Sequence, residues 1–330
     1  MKHVQKIALF MAAGMVSAGA QAADFQVAEN TTLSVFGEME VHYRDRDLAD
    51  NTSKSDFSDE GSLIGFGAAR TFSSGVTAFV ETEFEYDILG EGNDFDRDVS
   101  IFGISGDFGD VQIGDFDNVY IDTIYDVVEP FEGNDVSEEG SSPEDSYLAY
   151  FSPSMNGFTF QVQTRVKDET DDLNEDTTTK YKSNELSLIA AAQLDLGAVE
   201  LRAGYDDRGS VVNAQQESED PVYGFAGIAP ITDNAEIGFR YAMEQGRNSN
   251  DDTSYTGFVA GYDYGMGDVY GVVQNVSPDA SKDRTEFGVG GDYNFEEGLS
   301  AYAEHINYDR SASAGDETDS VTEVGLRYEF

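Results

Sequence analysis

The sequence predicts an all-β protein: a transmembrane antiparallel β-barrel of 16 strands. Three observations carry this. Apolar and polar residues alternate with period two along much of the chain, the mark of strands with two different faces. The connections between these segments alternate in length. The chain ends inside a strand, at Phe330, with nothing beyond it.

Along the chain, residues 1–22 come first. Lys2 and Lys6 precede an apolar stretch from Ile7 to Val16, and Ala20-Gln21-Ala22 fits a small-residue cleavage site. This is the pattern of a secretory signal peptide, and the stretch is short for a membrane span of about 20 residues. Cleavage after Ala22 leaves residues 23–330 as one barrel domain. It removes two lysines and no acid, so a formal charge of −46 becomes −48.

The first strand places Leu33, Val35, Met39 and Val41 opposite Ser34, Glu38, Glu40 and His42. Further on, Phe158, Phe160 and Val162 oppose Thr159, Gln161, Gln163 and Arg165. Val199, Leu201, Ala203 and Tyr205 oppose Glu200, Arg202 and Gly204. Ile237, Phe239, Tyr241 and Met243 oppose Glu236, Gly238 and Arg240. The last strand sets Val324, Leu326, Tyr328 and Phe330 against Glu323, Gly325, Arg327 and Glu329. Segments near 220–228 and 267–276 alternate poorly. Short connections fall near 73–75, 106–109, 154–157, 195–197, 229–234, 264–267 and 294–298. Long acidic ones fall near 44–60, 88–97, 116–145, 167–183, 207–220, 244–253, 277–284 and 310–318. Fifteen connections join 16 strands.

A soluble β-sandwich also alternates, but it buries its apolar face. The export signal and the short–long rhythm favour a membrane barrel, whose apolar face meets lipid and whose polar face meets water. Only a closed sheet pairs every strand backbone group in lipid. Tyr43, Tyr86, Tyr205, Tyr241 and Tyr308 lie near strand ends, where interfacial girdles form.

Composition excludes other classes. With 65 Asp+Glu against 19 Lys+Arg and a pI near 4.1, the chain repels nucleic acid. It has no cysteine, hence no disulfide, thiolate metal site or thiol nucleophile. Hydrophobic residues at 39% and aromatics at 12% argue against a disordered acidic tail. His42 and His305, the histidines left after export, are far apart, and no Gly-x-Ser-x-Gly or P-loop pattern is present. Neither catalysis, nor a cofactor, nor a metal is expected. Glu91-Gly92-Asn93-Asp94-Phe95-Asp96 offers oxygen ligands without calcium-loop spacing.

Several segments resemble the general diffusion porins of Gram-negative bacteria. These are Leu33-Ser34-Val35-Phe36-Gly37, Gly65-Phe66-Gly67, the run from Phe102 to Val111, Glu129-Pro130-Phe131-Glu132-Gly133, the run from Tyr150 to Phe158, and the ending from Glu323 to Phe330. The resemblance spans the mature chain. It implies a 16-stranded barrel, commonly a homotrimer, in outer-membrane lipid and lipopolysaccharide. It also implies a C-terminal strand read by the barrel-assembly machinery, and a long third loop, here 116–145, folded into the lumen. Such a loop is longer than most and needs a functional reason.

In that family, acids on the loop face basic residues on the wall. The acids are present: Asp115 at its start, then Asp117, Asp122, Asp126, Glu129 and Glu132. The bases are mostly replaced. Family basic positions fall on Glu38, Leu63, Gly67, Asp115 and Ala149. Arg97 lies one position from a family arginine, and Arg165, Arg202, Arg240 and Arg327 fall on the lumen face by parity. A pore lined by one sign of charge attracts the opposite ion. The expectation is therefore a passive, water-filled channel for ions and small hydrophilic solutes that prefers cations. The alternatives are a substrate-selective channel, or a surface-exposed binding or adhesion barrel. The outer loops carry further acids (Asp168, Glu169, Asp171, Asp172, Glu175, Asp176, Glu217, Glu219 and Asp220), whose self-repulsion calls for salt screening and points to a marine or salt-loving source.

Overall fold

A computed structural model describes residues 23–59, 61–90, 95–142, 145–166, 180–181, 187–208, 211–212, 220–246, 252–279, 281–310 and 318–330. The signal segment lies outside these residues. So do Glu91 to Asp94 and the acids Asp168, Glu169, Asp171, Asp172, Glu175, Asp176, Glu217 and Glu219.

The chain forms β1 (Ala23–Ala28), β2 (Thr31–Leu48), β3 (Ser53–Asp59), β4 (Leu63–Thr71), β5 (Thr77–Glu85), β6 (Asp96–Gly106), β7 (Gly109–Phe116) and β8 (Asp145–Phe151). Then come β9 (Phe158–Arg165), β10 (Lys180–Tyr181), β11 (Ile189–Asp195), β12 (Glu200–Asp206), β13 (Val211–Val212), β14 (Val222–Thr232), β15 (Ala235–Glu244) and β16 (Thr253–Asp263). The last are β17 (Asp268–Pro278), β18 (Arg284–Glu296), β19 (Leu299–Asn307) and β20 (Thr318–Glu329). Between β7 and β8 lie a short helix α1 (Val119–Ile124) and a 3-10 turn (Tyr125–Val128).

The sheet is antiparallel and closed, with 16 strands around the barrel. The count follows from pairing. β3 and β4 are two parts of one strand, since both pair with β2 along its length. β20 closes the sheet on β2. β1 pairs with the beginning of β2 on the same side as β20 and prolongs that strand. At the seam, Gly37 N donates to Phe330 O at 2.9 Å and Phe330 N to Gly37 O at 3.0 Å. The pair β10–β13 stands apart from the barrel.

The faces are sorted as a membrane barrel requires. Phe102, Phe225, Phe258, Val289 and Val324 are all more than half exposed. Glu40, His42, Gln163, Arg240, Gln274, Glu286 and Glu323 are buried. A soluble sandwich would reverse this, because burying charge without partners is costly. The weakly alternating segments near 220–228 and 267–276 are the strands β14 and β17. Glycines and alanines blur the period in β14, and valines on both faces blur it in β17.

Three sequence expectations are corrected. The segment 44–60 is not a long loop. β2 and β3 pair from Val41–Asp59 to Asp47–Ser53, leaving a four-residue connection at 49–52. Its turn is held by Asp50 Oδ1, which accepts from Thr52 N at 2.8 Å and Thr52 Oγ1 at 2.6 Å, with Asn51 at φ +65°. Alternation there is charged rather than apolar, so the strand reads as a loop. Similarly, β17 and β18 reach to Pro278 and Arg284, shortening the connection predicted at 277–284. Tyr308 is not a girdle residue; it is buried and donates to Asp135 O at 2.9 Å.

Candidate functional site

The barrel's apolar core lies where residues 117–142 meet the polar face of the wall. Val119, Tyr120, Ile124 and Val127 cluster with Phe116, Tyr147, Ile189 and Val222. Val128, Phe131 and Val136 cluster with Val259, Tyr270, Ile306 and Val321. The segment therefore crosses β9, β11, β12, β14, β15, β16, β17 and β19 in turn, and reaches β20.

Helix α1 begins because Asn118 caps it: Asn118 Oδ1 accepts from Tyr120 N at 2.8 Å. The wall holds this cap. Asn118 Nδ2 donates to Asp206 Oδ2 at 2.9 Å, and Gln163 Oε1 accepts from Val119 N at 2.9 Å. At the far end, Glu304 accepts from Glu132 N at 2.9 Å, Asn134 Nδ2 donates to Glu323 Oε1 at 2.7 Å, and Arg44 Nη2 donates to Gly133 O at 3.2 Å. On the way back, Glu286 accepts from Ser137 N and Oγ at 2.7 and 2.6 Å, and Asp206 Oδ2 accepts from Ser142 N at 2.6 Å. Wall carboxylates thus satisfy backbone N–H groups that a loop without regular structure leaves open.

The expected site residues divide into groups. Asp122, Asp126, Glu129 and Glu132 lie along the docked segment, half-buried. Glu132 pairs with Arg327 of β20. Arg240 is fully buried and pairs with Glu139 at 2.7 Å. Arg202 pairs with Glu200 at 2.6 Å, and its charge also reaches Asp122 and Asp126. Arg165 is buried on the polar face of β9. Glu38 is on the polar face of β2, within electrostatic reach of Glu83 together with Glu81, Asp98 and Asp117.

Asp115 and Arg97 belong elsewhere. In β7, Asp115 pairs with Ser146, two residues along from the pairing of Ile113 with Leu148. Successive strand residues face opposite sides. Gln112, Gly114 and Phe116 therefore share the polar side with Ala149 and Tyr147, while Asp115 shares the apolar side with Ile113. Arg97 pairs with it at 2.7 Å and lies opposite Phe84. The family alignment has no way to register this half-turn of the side chain.

Burial raises the loop carboxyls. Asp126 and Glu129 lie well above the ordinary carboxylate range, first through desolvation and then through the charge of neighbouring acids; Arg202 works the other way at Asp126. Asp122 moves in the same direction for the same reasons. Desolvation, with the charges of Glu304, Asp126 and Glu132, pushes Asp135 up to about 8 despite a hydrogen bond with Glu129. An acid whose pKa is raised on docking binds more protons docked than free. The docked loop is then most stable below about pH 4 and loses stability as pH climbs toward 8. Hydrogen exchange of residues 125–136 is expected to be faster at pH 9 than at pH 5, with the difference reduced in Asp135→Asn. Equal rates at both values would sink this expectation.

Sequence reasoning missed Glu139, Glu286, Glu304, Glu323, Asp206, Arg44 and Arg208. Most lie on the polar parity of their strands and were open to the same alternation test; Glu139 sits in a loop without periodicity. Among the described residues no group of three or more His, Asp or Glu is arranged to hold a metal ion.

The family description that matches residues 8–314 is Gram-negative porin. A monosaccharide porin of Halomonas sp is 29% identical over 98% of this chain and 99% of its own length. A major outer membrane protein of Halomonas elongata gives the same figures. Among solved structures, a mutant of Rh. blastica porin superposes with a TM-score of 0.65 at 17% identity, covering 91% of this chain and all of that one. A loop-deletion mutant of OmpT, an outer membrane protein of Vibrio cholerae, gives 0.68 at 16% identity over the same shares.

Proposed function

Since the chain belongs to the Gram-negative porin family, we propose that it forms a passive, water-filled, cation-preferring channel through the outer membrane, narrowed by residues 117–142 folded into the lumen. Its residence in the outer membrane follows from the family, the relatives and the barrel itself. Small hydrophilic solutes pass down their gradients, monosaccharides among them in keeping with the Halomonas relative. Residues 1–22 act as the export signal, and three copies assemble as is common in the family. The terminal strand is the segment that the barrel-assembly machinery engages.

One observation carries the choice of ion. The arc of wall that the loop does not cover presents Glu38, Glu81, Glu83 and Asp98, facing Asp117 of the loop segment. Six arginines of the covered arc have carboxylate partners: Arg240 with Glu139, Arg202 with Glu200, Arg208 with Glu244, Arg284 with Glu286, Arg44 with Glu323 and Arg327 with Glu132. The net sign along the open passage is negative, and low-dielectric walls focus it.

Liposome swelling tests the channel. Proteoliposomes are expected to swell in monosaccharides, with rates falling as sugar size rises. Vesicles that stay sealed to every sugar and to KCl would favour a binding or adhesion role for the barrel.

A further inference from the structure

The loop rests on bare backbone. Gly204 of β12, Gly224 of β14, Gly238 of β15, Gly257 of β16 and Gly288 of β18 all face the polar side. The register confirms it: Gly204 pairs with Gly224, Gly257 lies opposite Arg240 and Gln274, and Gly288 lies opposite Val272 and Ile306. Each is covered by the docked segment. A Cβ at Gly204 would come within 2.7 Å of Ile124 Cγ1 and 2.9 Å of Tyr120 Cδ2, and one at Gly257 within 2.9 Å of Val128 Cγ1; one at Gly238 would meet Val127 Cγ1 at 3.1 Å as well as Val259 Cγ1 of the neighbouring strand at 2.6 Å. At Gly224 and Gly288 it would collide outright with Ile124 and Phe131.

Backbone conformation does not demand glycine here. None of the five has a left-handed φ, and glycine within a strand weakens it. The remaining reason is close approach. Elsewhere on the wall, the space over Gly65 and Gly103 is filled by the wall's own Phe36 and Phe79, not by the loop. The glycines roofed by the loop therefore form a track confined to one arc, and the apolar side chains of the loop occupy it.

We propose that this glycine track is the positioning element of the constriction: by letting Ile124, Val127, Val128 and Phe131 sink against the strands, it sets how far the loop stands from its wall and hence the width of the passage left on the acidic side. The proposal rests on the loop lying in the lumen of a conducting channel. Side chains added to the track have one direction to push, toward the open passage, because the barrel wall behind is a hydrogen-bonded sheet. The wall therefore controls solute size through residues that never touch the solute.

The test is single-channel conductance of Gly224→Val and Gly204→Ala, each with and without Ile124→Ala. Gly227→Val serves as the control, since that Cβ would meet only ordinary contacts and faces the apolar side. Conductance is expected to fall by roughly a third or more in Gly224→Val, because conduction follows the open section of a constriction. Gly204→Ala should fall by less, Gly227→Val should conduct as the unaltered protein does, and Ile124→Ala should restore the first two in part, since Tyr120 also lies over both glycines. Should Gly224→Val fail to insert, Gly204→Ala with its rescue decides alone. Unchanged conductance in the track variants, or a loss that Ile124→Ala does not lessen at all, overturns the glycine track while leaving the channel intact. No conductance in the unaltered protein overturns the channel reading, and the track with it.

Discussion

Bilayers holding this protein across a roughly tenfold KCl gradient are expected to show a zero-current potential of about 35 mV, dilute side positive, from a pore potential near one kT. A potential of one kT enriches cations and depletes anions by the same factor, so the permeability ratio is about seven. The acids responsible are Glu38, Glu81, Glu83, Asp98 and Asp117, the other four lying within electrostatic reach of Glu83. Arg97 does not oppose them, because its charge is held by Asp115 on the apolar side. The triple variant Glu83→Gln, Asp98→Asn and Asp117→Asn should bring the potential down by half or more. Raising the salt toward 1 M should do likewise, as the Debye length shrinks to about 3 Å. A potential of the opposite sign would overturn the cation preference.

The second large effect concerns Glu139 and Arg240. Both side chains are buried and their ion pair measures 2.7 Å. Arg240 also donates to Gln274 Oε1 at 3.0 Å and lies 4.9 Å from the Tyr125 ring centroid. Glu139 accepts from Tyr120 Oη at 2.6 Å. Glu139 thus ties the returning half of the loop both to α1 and to β15. Removing one member of a buried pair strands the other, at a cost of about 3–5 kcal/mol. Glu139→Ala should therefore shift the docked-to-free ratio of the loop by two orders of magnitude or more. The barrel itself should persist, since its strand ladders do not pass through this pair. Protease cleavage between 125 and 140 and noisier open-channel current are the readouts. The double variant Glu139→Leu with Arg240→Met should recover much of the protection, because an apolar replacement leaves no stranded charge. Protection of Glu139→Ala equal to the unaltered protein would show that the pair does not hold the loop.

Much of the barrel is legible in the chain because a two-residue period survives any context: Leu33 to Val41, Leu201 to Tyr205 and Val324 to Tyr328 all point as alternation says. It fails where the period is carried by charges, as at Arg44 to Asp47, or blurred by glycine and alanine, as along β14. A family alignment places Asp115 at a basic position but does not register which side of the sheet it faces. The strand pairing does, and moves it and Arg97 off the polar side. Tyr308 looks like a girdle residue by its place near a strand end; the parity it continues from β19, just beyond Asn307, and the loop carbonyl it bonds decide otherwise.

The sequence by itself determined the closed antiparallel sheet, the sign of its charge and the acidity of its third loop, because these are sums and periods over neighbouring residues. Only the tertiary structure decided which carboxylates are already spent on arginines, which glycines lie under the loop, and which arc of wall stays open. Many of those contacts join residues far apart in the chain, such as Glu132 with Arg327 and Ile124 with Gly204. No local pattern encodes such distances. The imbalance of −46 counts charges; the fold determines which of them an ion meets.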